Sequence, residues 1–215
     1  MNQLLSRIEG LRQRNAAGLR SLRKQFSKEL AAADRRTLLE IAKELVGSGN
    51  PYARLIAYEL FTYHSEAKAG ITGVEVERLG EGISDWAAVD TFACYIAGPA
   101  WRDGRINDAR IHKWARSKDQ WWRRAALVST VPLNVRAQGG AGDAERTLAV
   151  CSLLVGDRTE TVVKAMSWAL RALAVRDPKA VERFVQRNEA GLAALVKREV
   201  HNKLRTGLKN PRKTL

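Results

Sequence analysis

Apolar residues return along this chain at intervals of three and four. Leu4, Leu5, Ile8 and Leu11 begin the pattern, Leu19, Leu22, Phe26 and Leu30 continue it, and Leu38, Leu39, Ile41, Ala42 and Leu45 follow. A period near 3.6 places such residues on one stripe of a helix, and no run of strict alternation competes for a strand. The pattern breaks at Gly47-Ser48-Gly49-Asn50-Pro51, Gly80-Glu81-Gly82, Gly98-Pro99, Gly139-Gly140-Ala141-Gly142 and Arg176-Asp177-Pro178. Glycine ends helices by its backbone freedom and proline by its missing N–H. The expectation is an all-α chain of ordinary-length helices joined by short turns.

A weak repeat orders these helices. Asn50-Pro51-Tyr52, Ser84-Asp85-Trp86 and Asp119-Gln120-Trp121 each set a polar capping residue just ahead of an aromatic. The aromatics are 34 and 35 residues apart, which is a helix-pair period. Thr159-Glu160-Thr161-Val162 starts a fourth unit about 41 residues on, within the HEAT-like range. The predicted architecture is one domain over residues 1–209, a curved solenoid of HEAT-like antiparallel helix pairs whose concave face grips an extended ligand. A basic tail is expected over residues 210–215.

Composition narrows the ligand. A chain of 215 residues, 45% hydrophobic and 28% charged, can bury a substantial core, so disorder throughout is excluded. Lys and Arg total 37 against 23 Asp and Glu, a formal net charge of +14, which favours a nucleic acid or an anionic membrane surface. No apolar run approaches the roughly 20 residues of a membrane span. The opening Met1-Asn2-Gln3-Leu4-Leu5-Ser6-Arg7 lacks the apolar core of a secretory signal. The protein is therefore expected in the cytoplasm with access to the nucleoid and with no membrane partner; separately from these features, a monomer is expected. Cys94 and Cys151 can form one disulfide at most and read as reduced core thiols. His64, His112 and His201 have no metal-ligand spacing, so no metal is expected. The glycines at 139 to 142 precede no Gly-Lys-Ser/Thr and read as a connector rather than a P-loop. No cofactor is expected.

The candidate chemistry centres on Trp86 and Asp90. Four residues apart on a helix, an aromatic and a carboxylate share one face and offer a π-face and a full negative charge to the same cationic partner. The position four after the leading aromatic is Ile56 in one unit and Ala125 in another, so a carboxylate has replaced an apolar residue. Spacing alone leaves other readings open. A rim acid is by default solvated or salt-bridged, a tryptophan such as Trp86 or Trp168 is by default core, and Arg123 and Arg124 form either a solvated face or a phosphate clamp.

Three segments carry a resemblance. Ser84-Asp85-Trp86-Ala87-Ala88-Val89-Asp90, Asp119-Gln120-Trp121-Trp122-Arg123-Arg124-Ala125-Ala126-Leu127 and Lys164-Ala165-Met166-Ser167-Trp168-Ala169-Leu170-Arg171 resemble the signature helices of the DNA alkylation repair family, the AlkD-like DNA glycosylases. With Asn188-Glu189 and Lys197-Arg198-Glu199 the likeness spans about residues 40 to 205. It implies a C-shaped stack of helix pairs with duplex DNA in a concave basic face. It also implies that the acid matching Asp90 assists cleavage of the N-glycosidic bond and that the aromatics matching Trp86 and Trp168 contact the deoxyribose. The arginine matching Arg124 supports the DNA backbone near the lesion, and Arg123, Trp121, Arg171 and Lys164 of the same motifs are expected to bind DNA. At its N-terminus the chain is shorter than typical members and is expected to lack part of the first helical unit, a region that in the family borders the lesion-bearing strand.

The residue types suit that reaction. Alkylation at N3 or N7 makes a purine cationic and a good leaving group, so positive charge developing on the deoxyribose is the remaining difficulty. A carboxylate stabilises that charge and positions a water, and aromatic faces add quadrupole attraction. No wedge residue or base pocket is evident, in keeping with the family's action without base flipping. Met1 to Arg36 carries nine Lys or Arg against three acids, and Lys197 to Leu215 carries a run of them against Glu199 alone. Both ends therefore suit sequence-independent phosphate contacts to double-stranded DNA with alkylated bases. The leading expectation is a glycosylase for cationic N3- or N7-alkylated purines. A catalytically silent HEAT-repeat protein binding branched or distorted DNA is the alternative, and a scaffold for an acidic protein is the third.

Overall fold

The computed structural model describes residues 2–11 and 15–211, and among them the regular structure is entirely helical. Arg12 and Arg14, two of the N-terminal cations, lie outside the described residues, as does residue 212 onward of the expected tail. The chain forms two compact units, the first ending at Ala100 and the second beginning at Trp101.

The first unit contains α1 (Asn2–Glu9), α2 (Ala16–Glu29), α3 (Arg35–Gly47), α4 (Pro51–Thr62), α5 (Ser65–Ala69), α6 (Gly73–Gly80) and α7 (Trp86–Phe92). Most begin as their sequences require. Asn15, Asp34, Asn50 and Asp85 each accept first-turn backbone N–H groups of α2, α3, α4 and α7, and Thr72 with Glu75 closes a capping box on α6. The central helix is α4, which packs on α1, α2, α3, α5 and α7 and buries Ala53, Ile56, Ala57, Tyr58, Leu60 and Phe61. The Tyr58 hydroxyl donates to the Leu79 carbonyl at 2.7 Å, so this buried aromatic leaves no polar atom unsatisfied.

The helix break expected at Gly98-Pro99 does not occur. A π segment (Ala93–Ala97) joins α7 directly to α8 (Gly98–Arg102). Pro99 has no N–H for the carbonyl of Tyr95 four residues earlier. The Thr62 hydroxyl lies 3.0 Å from that carbonyl and 2.8 Å from the Tyr58 carbonyl, and shares its proton between them. Tertiary packing thus replaces the lost helical bond, and the backbone accommodates proline by widening one turn instead of ending.

The second unit contains α9 (Asp108–Ala115), α10 (Gln120–Val128), α11 (Val131–Asn134), a 3₁₀ turn (Arg136–Gln138), α12 (Ala144–Leu153), α13 (Glu160–Leu173), α14 (Pro178–Arg187) and α15 (Ala194–Thr206). Helix α13 lies between α10 and α15 in one layer, and α9, α12 and α14 back them in the other. Neighbouring helix pairs therefore stack as the repeat predicts. The inward stripe of α13 is Val162, Ala165, Met166, Ala169, Leu170 and Leu173, each buried. Full burial is worth roughly 1.5–3 kcal/mol for each of the larger ones, which fixes the roll of the helix. The glycines at 139 to 142 connect helices, as expected. A Cβ on Gly140 would stand 2.5 Å from the Pro132 carbonyl oxygen, so only glycine allows that approach.

Candidate nucleic-acid interface

Helix α7 is short, and its two faces are sharply different. Ala88, Val89 and Phe92 are buried, with the Phe92 ring 5.8 Å from that of Tyr58 on α4. Asp85 caps the helix by accepting the Ala88 N–H at 2.9 Å. The opposite face consequently points outward. Trp86, at the first helical position, is 38% exposed and is one of few large apolar side chains at the surface, and Asp90 stands half-buried one turn on. Trp86 is therefore not a core residue. The pair shares a face as the spacing requires, with the π segment starting three residues after Asp90.

The caps also refine the repeat register. Trp86 directly follows its cap, whereas Tyr52 and Trp121 stand two residues after Asn50 and Asp119. Counted from the caps, the places equivalent to Asp90 belong to Leu55 and Arg124, not to Ile56 and Ala125.

The α10 motif turns its arginines inward and sideways. Arg124, expected at the DNA backbone, is only 3% exposed, and its Nη1 donates to the Thr161 carbonyl of α13 at 2.6 Å. The register explains this: Arg124 falls on the stripe with Ala125, Leu127 and Val128 that packs on α13. Arg123 is half-buried. It donates Nε to Asp157 at 2.7 Å, Nη1 to the Ser117 and Lys118 carbonyls, and Nη2 to the Thr159 hydroxyl, so it ties the α9–α10 turn to the α12–α13 turn. Burial would raise the Asp157 pKa, but the Thr159 N–H and the Arg123 guanidinium hold it below the ordinary carboxylate value. Trp121 is half-buried, its N–H capped by Asp119 at 2.8 Å. Trp122 leans on Trp114 at 5.0 Å between ring centroids.

Helix α13 carries the more accessible face. Lys164, Trp168 and Arg171 recur at four and three residues, opposite the apolar stripe, and make a cation, aromatic, cation row. Trp168 is half-buried, and Lys164 is exposed and paired with Glu160. Arg171 donates Nε to the Ser167 hydroxyl at 3.1 Å; burial lowers its pKa and Glu199 opposes that. Among the described residues its Nη groups make no hydrogen bond, unlike those of Arg123 and Arg124.

The structure thus brings Trp86 and Asp90 together in the first unit, and Trp121, Arg123, Arg124, Lys164, Trp168 and Arg171 onto two packed helices of the second. What residue order could not give is the split among the cations: only packing separates the wholly internal Arg124 from the half-buried Arg171. The sequence reading also missed Ser167 and Lys209, which gather around Glu199. The period of α13 already put Ser167 beside Arg171, but no sequence signal brings Lys209 to them.

Among the described residues no group of three or more His, Cys, Asp or Glu side chains can hold a metal ion, and no helix is long and apolar enough to cross a membrane. Cys94 and Cys151 are buried and form no disulfide, and burial pushes the Cys151 thiol up.

A search of the curated proteins gives no match. The family model described as DNA alkylation repair enzyme matches residues 14–204, extending the likeness seen in the three motifs through α3 and into the region before α2. A match over nearly the whole chain, with the motif helices inside it, means that this protein belongs to the DNA alkylation repair enzyme family.

Proposed function

We propose that this repair enzyme is a DNA glycosylase that hydrolyses the N-glycosidic bond of cationic N3- or N7-alkylated purines in duplex DNA. The observation that carries the reading is the outward face of α7, where an exposed Trp86 and the Asp90 carboxylate stand one helical turn apart. The alkylated base leaves without needing a proton, so the chain has to stabilise the sugar. Asp90 supplies a negative charge to the oxocarbenium-like deoxyribose and orients the attacking water, and Trp86 supplies a π-face. Trp168 is assigned to the deoxyribose by family likeness alone.

Binding rests on backbone phosphates, for which the Lys164, Trp168 and Arg171 row supplies two cations on either side of an aromatic. Arg123 and Arg124 support that row from α10 by fixing the turns and the start of α13, and Trp121 is assigned to DNA by family likeness alone. The enzyme acts as a monomer in the cytoplasm and extrudes no base into a pocket.

Release of free bases from methylated duplex DNA tests this reading. N7-methylguanine and N3-methyladenine should appear, while uracil, hypoxanthine and 8-oxoguanine should stay in the strand, because a neutral base needs a general acid to leave. Release of uracil or hypoxanthine as fast as a cationic methylpurine would refute it.

A further inference from the structure

Glu199 is the only buried carboxylate among the described residues, 5% exposed on α15. A buried charge persists only when it is compensated. Its Oε2 accepts the Ser167 hydroxyl at 2.6 Å and stands 3.8 Å from Arg171 Nε, and its Oε1 is 3.3 Å from Lys209 Nζ. Lys209 reaches it because the chain turns at Gly207, whose φ of 73° suits glycine, and because Asn202 Nδ2 donates to the Lys209 carbonyl at 3.1 Å. Three elements therefore meet at one carboxylate: α13, α15 and the segment after α15.

We propose that Glu199 is a positioning residue for DNA binding: through Ser167 and the backing charge of Lys209 it holds the Arg171 guanidinium by its Nε edge and presents the free Nη edge beside Trp168 to a DNA phosphate. The inference rests on the proposed DNA-facing role of the α13 row. An arginine fork binds a phosphate through two parallel N–H groups, and that geometry is lost if the planar group rotates freely. Anchoring Nε fixes the plane and leaves four Nη hydrogens for the ligand. Lys209 largely neutralises the carboxylate, so Glu199 repels an approaching phosphate little and acts mainly by orientation. Lys164, at the other end of the row, pairs with the exposed Glu160 one turn away.

The test is a double-mutant cycle on duplex affinity at 0.15 M salt, with a duplex containing N7-methylguanine, using Glu199→Gln, Arg171→Ala and the double variant. Freeing one ordered side chain corresponds to roughly threefold to tenfold weaker binding, and that is expected for Glu199→Gln alone. In the Arg171→Ala background the same substitution should change nothing, because the group it positions is gone. A merely structural role would weaken both backgrounds equally. Ser167→Ala, which removes one hydroxyl, should repeat the pattern and carries the cycle if Glu199→Gln does not fold. Equal loss in both backgrounds, or unchanged or tighter binding by the single variants, overturns the positioning role. If Arg171→Ala itself binds like the wild type, the DNA-facing reading of α13 fails and this inference fails with it.

Discussion

Replacing Arg124 by alanine separates an internal from a DNA-facing arginine. The guanidinium is almost wholly buried and donates to the Thr161 carbonyl at 2.6 Å, linking α10 to the first turn of α13. A hydrogen bond from a charged donor contributes about 1.5–3 kcal/mol, and truncating the buried stem leaves a cavity that adds to the loss. Relief of a buried charge offsets part of this. A net destabilisation of about 3 kcal/mol is expected, and at about 2–4 °C per kcal/mol for a chain of this size the melting temperature should fall by roughly 6–12 °C. Thermal unfolding followed by circular dichroism measures it. Duplex binding, measured well below the transition at several salt concentrations, should keep the wild-type dependence of affinity on salt. The reasoning is refuted if the melting temperature moves by less than about 1 °C while the salt slope falls by about 0.9, the signature of one lost phosphate contact.

Two further outcomes follow from the packing. The Asp157 carboxyl titrates below its unfolded value, so its pairing with Arg123 and the Thr159 N–H contributes stability above about pH 4 that is lost as pH falls through the folded value. Asp157→Asn should therefore lower the urea midpoint at pH 7, and the gap to the wild type should narrow progressively as pH falls below the unfolded value; a constant difference between them would contradict this. Thr62→Val should cost about 1 kcal/mol in urea unfolding, because the Tyr95 carbonyl that Pro99 cannot serve loses its partner, and an unchanged midpoint would remove Thr62 from the account of the π segment.

The helices were legible because their signals are local. Asn50, Asp85 and Asp119 cap the helices that their sequences announce, and the α13 row can be read from its spacing. Where tertiary partners decide, the sequence was silent or misleading. Pro99 reads as a stop, yet Thr62, distant in sequence, allows the helix to continue. Arg123 and Arg124 read as a cationic pair, yet the packing of α10 on α13 buries Arg124 while Arg123 stays half-buried across two turns. Trp86 and Asp90 were correctly placed on one face because an i, i+4 relation needs only the helix. That Trp86 is exposed required knowing that Ala88, Val89 and Phe92 fill the other side.

The central claim is that the Asp90 charge stabilises the deoxyribose cation. The most direct measurement is single-turnover release of N7-methylguanine from duplex DNA by the wild type and by Asp90→Asn, with binding measured in parallel. The amide keeps the shape and loses the charge, so the variant should bind duplex with near wild-type affinity and release base about 10²–10³-fold more slowly, as for loss of one preorganised electrostatic group. Release by Asp90→Asn at close to the wild-type rate would contradict the account.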